Sequence, residues 1–383
     1  MTQRPLHVLV VDDSAVVREA MTELLSTAGG ITVATAPDPI VARRKIAAER
    51  PDVILLDLEM PREDGLHFLR DLIATDPILV VICSSHSAAG SRAALEALRD
   101  GAVDVVAKPR VGVREFLQES AVLIVDVVRA AAMAPVRRAP ARLRERTTAE
   151  LALRNLPSFP GASDAGDAAA GTRGTPTPSD RVIAIAASTG GPQALSEVLS
   201  ALPVGTPGIV VVQHMPAGFT NGFARHLDRE CAIAVKEAEP GDVIMDGRAL
   251  IAPGDQHLAI VRRRGQLAVE LFGGPLVLRH RPSADLLFRS TARAAGARAL
   301  GVILTGMGDD GALAMRTMRD AGAMTVAQDE ASCIVYGMPR EAVLAGGAAR
   351  VLPLSAMASF IMQWTGDAAP VEPPRSSLAS GSS

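Results

Sequence analysis

The chain has 383 residues, enough for roughly two or three domains, with 48% hydrophobic residues, 21% charged residues and a net charge of −3. That near-neutral balance, with only 3% aromatics, offers neither a basic footprint nor a stacking surface, which argues against nucleic acid as a partner. Cys83, Cys231 and Cys333 show no metal-ligand spacing, the N-terminus runs straight into a strand without a signal-peptide pattern, and the apolar runs are too short to span a bilayer, so a cytoplasmic protein with no membrane insertion is expected.

Residues 7–11 form a short apolar run that stops at Asp12-Asp13-Ser14, after which Val16, Val17, Met21, Leu24 and Leu25 recur at helical spacing. The pattern predicts a strand and then a helix, with Asp13-Ser14 suited to capping it. The alternation continues with strands at 31–36, 53–56, 78–83 and 103–106, and helices at 40–48, 65–73, 92–99 and 113–132. Five βα units complete a small domain over residues 5–130. Connections in such sheets are right-handed and ligands gather at the carboxyl ends of strands, so Asp12, Asp13, Asp57, Ser84 and Lys108 are expected at one rim. Three carboxylates there repel one another unless a hard cation such as Mg²⁺ is shared among them. Lys108 brings a positive charge to the same edge, and Ser84 a hydroxyl that can follow a phosphoryl oxygen. Singly, each residue has a plainer role, as a cap or a solvated turn residue.

The stretches Val10-Val11-Asp12-Asp13-Ser14, Asp57-Leu58-Glu59-Met60-Pro61-Arg62-Glu63-Asp64-Gly65 and Lys108-Pro109 resemble a two-component receiver domain. The resemblance implies a flavodoxin-like (βα)5 fold with Asp57 as phosphoacceptor and a histidine kinase as phosphodonor. It also implies Mg²⁺ held by Asp12, Asp13, Asp57 and the main chain at Glu59, with Ser84 and Lys108 as the switching pair.

Residues 134–180 lose the strand pattern and are broken by Pro135, Pro140, Pro157, Pro160, Pro176 and Pro178, which reads as a flexible linker. Arg137, Arg138, Arg142, Arg144, Arg146 and Arg154 give its first half a positive bias, read as solvated or domain-docking, and 141–155 has room for one short helix. Residues 367–383 hold too few apolar side chains to fold, so disorder is expected there.

Residues 182–187, Val-Ile-Ala-Ile-Ala-Ala, form the unbroken apolar run of a strand buried on both faces, and it stops abruptly at Ser188-Thr189-Gly190-Gly191-Pro192. Ser188 therefore sits on a sharp strand-to-helix turn, with Pro192 in the first helical turn and the backbone N–H groups of Thr189, Gly190 and Gly191 available to an oxyanion. The pattern approaches the Gly-x-Ser-x-Gly elbow with Ala186 in place of the first glycine. A phosphate cradle or a simple helix cap fits the same turn.

A second apolar strand at 208–213 ends at His214, placing an imidazole where it can take the Ser188 proton. His226, in a helix-like stretch, and His257 and His280, in loop or strand contexts, are weaker candidates. A third strand at 300–305 runs into Gly306-Met307-Gly308-Asp309-Asp310-Gly311, where one acid can orient His214 while the other caps the helix from 312, and where Met307 adds an oxyanion donor. Ser188 and His214 are expected on a solvated rim outside the core.

Together with Gln213-His214-Met215-Pro216, Ile251-Ala252-Pro253-Gly254, Arg281-Pro282-Ser283-Ala284-Asp285, Leu304-Thr305-Gly306-Met307-Gly308-Asp309-Asp310-Gly311 and Gln328-Asp329-Glu330-Ala331-Ser332-Cys333, these strand ends resemble the chemotaxis protein-glutamate methylesterase family, CheB, over about residues 181–365. The resemblance implies a doubly wound, mostly parallel α/β hydrolase domain with Ser188 as nucleophile and His214 as base, to which the turn residues Thr189 and Met307 would add the oxyanion hole. The family's acid directly precedes the glycine that stands here at Gly311, which selects Asp310. Ala186-Ala187 departs from the family's usual Gly-Ala. The implied substrates are γ-methyl esters of glutamate on the cytoplasmic helices of methyl-accepting chemoreceptors, with glutamine deamidated by some members. No cofactor is implied in this domain, and the unphosphorylated receiver is implied to pack over the site. The rival reading is a response-regulator adaptor with a non-hydrolytic output domain. A transcription factor is disfavoured because residues 181–365 alternate strand and helix and carry no basic stripe.

Overall fold

The computed structural model describes residues 4–60, 64–85, 87–108, 114–134 and 177–366. The suggested helix at 141–155 and the tail at 367–383 lie outside the described residues. Among the described residues no helix is long and apolar enough to cross a membrane.

The first unit runs β1 (Leu6–Val11), α1 (Ala15–Thr27), β2 (Ile31–Ala36), α2 (Pro39–Ala48), β3 (Val53–Leu56), α3 (Gly65–Thr75), β4 (Leu79–Ser84), α4 (Ala88–Arg99), β5 (Asp104–Ala107) and α5 (Arg114–Met133). Its strands pair in parallel in the order β2-β1-β3-β4-β5. Helices on both faces bury every residue of β3, which is why these strands read as continuous apolar runs. Side chains of Ser14, Asp38, Asp64 and Ser87 accept from the first-turn amides of α1 to α4 and so set where each helix starts. The Ser87 cap starts α4 four residues ahead of the 92–99 expectation, across an Ala-Ala-Gly stretch that carries no apolar periodicity.

The second unit contains β6 (Val182–Ala187), α6 (Gly191–Ser200), β7 (Gly208–Gln213), α7 (Thr220–Glu230), β8 (Ala234–Glu237), β9 (Arg248–Ile251), β10 (His257–Arg263) and β11 (Gln266–Phe272). It continues with α8 (Ala284–Ala295), β12 (Ala299–Ile303), α9 (Ala312–Asp320), β13 (Met324–Gln328), α10 (Met338–Leu344), β14 (Arg350–Leu352) and α11 (Leu354–Gly366). Seven strands form a parallel sheet in the order β14-β13-β12-β6-β7-β9-β8, with β6 at its centre. The antiparallel hairpin β10–β11 stands apart from that sheet. Its two-residue loop places Arg264 and Gly265 at φ 50° and 84°, the left-handed pair that a tight hairpin requires. The end of the linker is bound to this unit: Ser179 N donates to Ile244 O at 2.9 Å, and Asp246 N donates to Thr177 O at 2.9 Å.

One apolar cluster runs across the two units, joining Leu95 and Leu98 of α4 to Leu195 of α6 and Phe223 and Leu227 of α7. Burial of such surface contributes about 25 cal/mol per Å², so this continuity holds the first unit against the second.

Candidate active site

Ser188, His214 and Asp310 are brought together by the central strands. Ala187 and Gln213 are register partners at the ends of β6 and β7, so Ser188 and His214 are the next residues out on neighbouring strands, and His214 N donates to Ala187 O at 3.0 Å. On the other side, Ser188 N donates to Thr305 O at 3.0 Å, beyond β12. Gly306 is needed there for close approach, since a Cβ would lie 2.7 Å from the Ser188 Cβ. Gly190 holds φ 76° as the N-cap of α6, with Pro192 in the helix's first turn.

Asp310 is fully buried, and its carboxylate is held on every side. His214 Nε2 lies 2.9 Å from Oδ2, which also accepts from Ala284 N at 2.7 Å, while Oδ1 accepts from Ser283 Oγ at 2.8 Å and Asp285 N at 2.9 Å. The N-terminus of α8 thus serves as an anion site for the acid. Burial alone would raise its pKa, but the His214 hydrogen bond and charge, with the Asp285 amide, hold the carboxyl below its ordinary range. The expected capping of α9 by one of the two aspartates does not occur: its N-cap is Gly311, without a side-chain bond. Asp310 faces α8 instead because the amides there meet both of its oxygens.

With Nε2 committed to Asp310, His214 Nδ1 is the free nitrogen; it is buried and has no hydrogen-bond partner, so the contact to Ser188 Oγ is not made in this structure. His280 stacks on His214 with ring centroids 3.7 Å apart and planes 9° off parallel. Burial first, and the neighbouring His214 charge second, lower the His280 pKa to about 3, which keeps it neutral. His214, His280 and Asp310 offer donor atoms within 4.8 Å of one another, but the Asp310 oxygens are already spent on the α8 turn and His214.

Ser188 and His214 do not lie on the expected solvated rim. Ser188 is 7% exposed and the His214 side chain 4%. The first unit covers them: Leu123, Ile124 and Val127 of α5 and residues 104–107 of β5 line the same cavity of about 320 Å³ as Ser188 and His214. Polar contacts pin this cover. Gln193 Nε2 of α6 donates to Leu98 O at 3.0 Å and Ala102 O at 2.7 Å, Ser91 Oγ donates to Gly218 O at 3.0 Å, and Arg99 pairs with Glu230 at 2.7 Å.

The acidic rim of the first unit lies at the ends of β1 and β3. Asp12 and Asp57 are buried and Asp13 is exposed, with donor oxygens of all three within 4.8 Å of one another. Lys108 Nζ donates to Asp57 Oδ2 at 2.7 Å and lies 2.9 Å from Asp12 Oδ2, but out of hydrogen-bond line, so that buried Asp12 oxygen has no hydrogen-bond partner. Burial raises Asp57, against the lowering pull of Lys108 and the Glu59 amide. Burial alone would lower Lys108, but its hydrogen bond to Asp57 and the carboxylate charges of Asp57 and Asp12 hold it above its ordinary range. Ser84 Oγ is buried and without a partner at the same rim. Glu59 directs its amide to Asp57 Oδ1 at 3.0 Å, while its carboxylate accepts from Ser85 at 2.8 Å and Ser87 at 3.2 Å.

The family model described as CheB methylesterase matches residues 183–361, and the response regulator receiver domain model matches residues 8–119. Protein-glutamate methylesterase/protein-glutamine glutaminase 3 of Geobacter metallireducens is 48% identical over 95% of this chain and 100% of its own. The chain belongs to the CheB methylesterase family. The number 5 enzyme of that name from Anaeromyxobacter dehalogenans is 53% identical over 92% of this chain and 95% of its own. The Thermotoga maritima CheB methylesterase catalytic domain is a further similar structure, at 36% identity and TM-score 0.47, covering 48% of this chain and 98% of that one. As a CheB-family chain it is a hydrolase joined to a response-regulator receiver.

Several residues of this CheB-type site escape a reading of strand ends. Gln213 Nε2 donates to both Ser188 O at 2.9 Å and His214 O at 3.0 Å, tying the Ser188 turn to the end of β7. Thr305 Oγ1 donates to Thr189 O at 3.0 Å, and Gln328 Oε1 accepts from Thr305 N at 2.8 Å. The available signal was a polar residue closing an otherwise apolar strand.

Asp104 is the other such residue. It begins β5 of the receiver, is buried, accepts from Val105 N at 2.8 Å, and lies under the influence of the Thr189 hydroxyl beside Ser188. Burial pushes it up to about 6, against the lowering pull of the Thr189 hydroxyl, the Val105 amide and the His214 charge. An exposed aspartate titrates near about 3.9, so the closed arrangement holds the Asp104 proton more tightly than an open one. That contribution to closure is complete below about pH 4 and is lost as pH rises through 6. Amide exchange at residues 104–107 and 188–191, corrected for its intrinsic pH dependence, is expected to be slower at about pH 5 than at about pH 7, and Asp104→Asn is expected to flatten the difference. Equal protection at both pH values in the wild type would contradict this.

Proposed function

We propose that this chain is a phosphorylation-gated protein-glutamate methylesterase that hydrolyses glutamate γ-methyl esters on cytoplasmic chemoreceptor helices. The carrying observation is the His214–Asp310 pair at 2.9 Å, with a free His214 Nδ1, on the strand beside Ser188. The working division is a receiver at 5–130, a linker at 134–180, a catalytic domain at 181–365 and a tail at 367–383, in a cytoplasmic protein.

Ser188 Oγ attacks the ester carbonyl carbon as its proton passes to His214 Nδ1. The Thr189 and Met307 amides hold the negative charge on the former carbonyl oxygen. Asp310 keeps the Nε2 proton in place and stabilises the imidazolium. Collapse breaks the carbon–oxygen bond to methoxide, which leaves as methanol with the proton from His214. Water then attacks the acyl-serine, giving its proton to His214, and glutamate and Ser188 are restored. A glutamine amide follows the same route with ammonia leaving.

In the receiver, Asp57 takes the phosphoryl group from a histidine kinase, with Ser84 and Lys108 free to turn toward it. The oxygen-only set of Asp12, Asp13 and Asp57, in which the buried Asp12 Oδ2 accepts no hydrogen bond and faces only the Lys108 charge, fits a hard cation, with the Glu59 carbonyl as a further ligand. Mg²⁺ bound there would neutralise phosphoryl charge. Lys108 would exchange its Asp57 pairing for the phosphoryl oxygens. Because α4 and α5 flank this rim and also touch the catalytic unit, a shift there loosens the cover.

Methanol release from methylated receptor membranes tests the reading. Release with purified protein supports it; intact methyl esters after prolonged incubation with phosphorylated protein would overturn it in favour of an adaptor.

A further inference from the structure

The contact between receiver and catalytic unit has a chemical pattern of its own. At the cavity that holds Ser188 and His214, the cover is a helix, α5, which presents Leu123, Ile124 and Val127 on one face. One position along, Asp126 of the same helix pairs with Arg279 at 3.1 Å. Arg279 projects from the loop between β11 and α8, where Leu278 and Arg279 both hold left-handed backbone at φ 47° and 68°. That conformation is unfavourable for residues with a Cβ, and here it is held by the reciprocal Val277–His280 backbone bonds.

The other basic groups lining the cavity are already committed. Arg281 is bound to Asp255, with Nε 2.8 Å from Oδ1; His214 is bound to Asp310, and His280 is neutral. When the receiver withdraws, Asp126 leaves with α5. Arg279 then stands as the one cation among the described lining residues with no carboxylate partner.

We propose that Arg279 is a specificity-determining residue that binds a carboxylate of the substrate helix next to the esterified glutamate, and that α5, with Asp126, holds that same place in the resting protein. This rests on the methylesterase reading given above. A methyl ester is neutral, so the carboxylate bound must come from a neighbouring acidic residue, including a glutamate already freed of its methyl group. Hydrolysis at one position would therefore speed hydrolysis at an adjacent one.

The test uses full-length protein phosphorylated by acetyl phosphate with Mg²⁺, and helical peptides carrying one glutamate methyl ester flanked one and two turns away by Glu, Gln or Lys. Wild type is expected to favour the Glu-flanked over the Gln-flanked peptide by about two- to fivefold in kcat/KM, mostly through KM, the scale of a half-exposed charge pair. Arg279→Ala should bring that ratio close to one, and Arg279→Glu should reverse it in favour of the Lys-flanked peptide, a rescue that a misfolded variant cannot show. Methanol release by wild type with no preference, or an unchanged ratio in Arg279→Ala, would overturn this inference alone. No methanol from any peptide or from methylated receptor membranes would overturn the esterase reading and the inference with it.

Discussion

Ser188→Ala and His214→Ala are each expected to lower methanol release by about 10⁴- to 10⁶-fold, and the double variant is expected to be no slower than either single one. The reason is geometric. A serine hydroxyl is a weak nucleophile until a base takes its proton, and an imidazole does nothing for the ester without an attacking oxygen, so the two act as one unit. Ser188 and His214 leave adjacent strands at matching positions, and His214 spends Nε2 on Asp310, leaving only Nδ1 to accept the proton. Both side chains line the cavity under the receiver, and His214 is also stacked on His280 and bonded to buried Asp310. Ser188→Ala should therefore leave the urea unfolding midpoint nearly unchanged, while His214→Ala, which strips a buried carboxylate of its partner, should lower it. Losses that multiply in the double variant would mean that the pair is wrongly chosen.

Asp57→Asn is expected to abolish labelling by acetyl phosphate and, with it, all stimulation of hydrolysis. Asp57 is the buried carboxylate on which Lys108 and the Glu59 amide converge, and an amide in its place has no oxygen able to form the acyl phosphate. Phosphorylation adds about −1.5 to −2 charges. Lys108 is then drawn off its present partners, and the buried Ser84 hydroxyl, now without a partner, acquires one. Those movements lie at the carboxyl ends of β4 and β5, and Ser91 in the first turn of α4, the helix that follows β4, donates to Gly218 O of the catalytic unit. An interface shift of about 1.4 kcal/mol would change the open-to-closed ratio roughly tenfold. Label retained in the Asp57→Asn protein would place the acceptor elsewhere.

Much of both sites is legible in the sequence because parallel strands buried on two faces are written as apolar runs, and the first polar residue after each run must stand at the sheet's carboxyl edge. Asp12, Asp57, Ser84, Ser188 and His214 all follow that rule. Asp310 is harder to read, because its hold depends on Ser283 and the α8 amides, which reach it from a helix 25 or more residues earlier in the chain. His280 looks like an ordinary loop histidine until the loop after the β10–β11 hairpin lays its ring on His214. Asp104 and Asp126 carry no signal in their own domain: one begins a strand and the other lies on a helix, and Thr189 and Arg279, the groups that give them a role, lie across the boundary between units. The same covering explains why Ser188 and His214, legible as strand-end residues, are buried rather than solvated.

The most direct test is the rate of methanol release from methylated receptor membranes by the full-length protein, measured with and without acetyl phosphate and Mg²⁺, in wild type, Asp57→Asn and Ser188→Ala side by side. Stimulation of about tenfold or more is expected in wild type alone, with a low unstimulated rate in Asp57→Asn and essentially none in Ser188→Ala. Equal stimulation in Asp57→Asn, or undiminished release by Ser188→Ala, would contradict a phosphorylation-gated serine esterase.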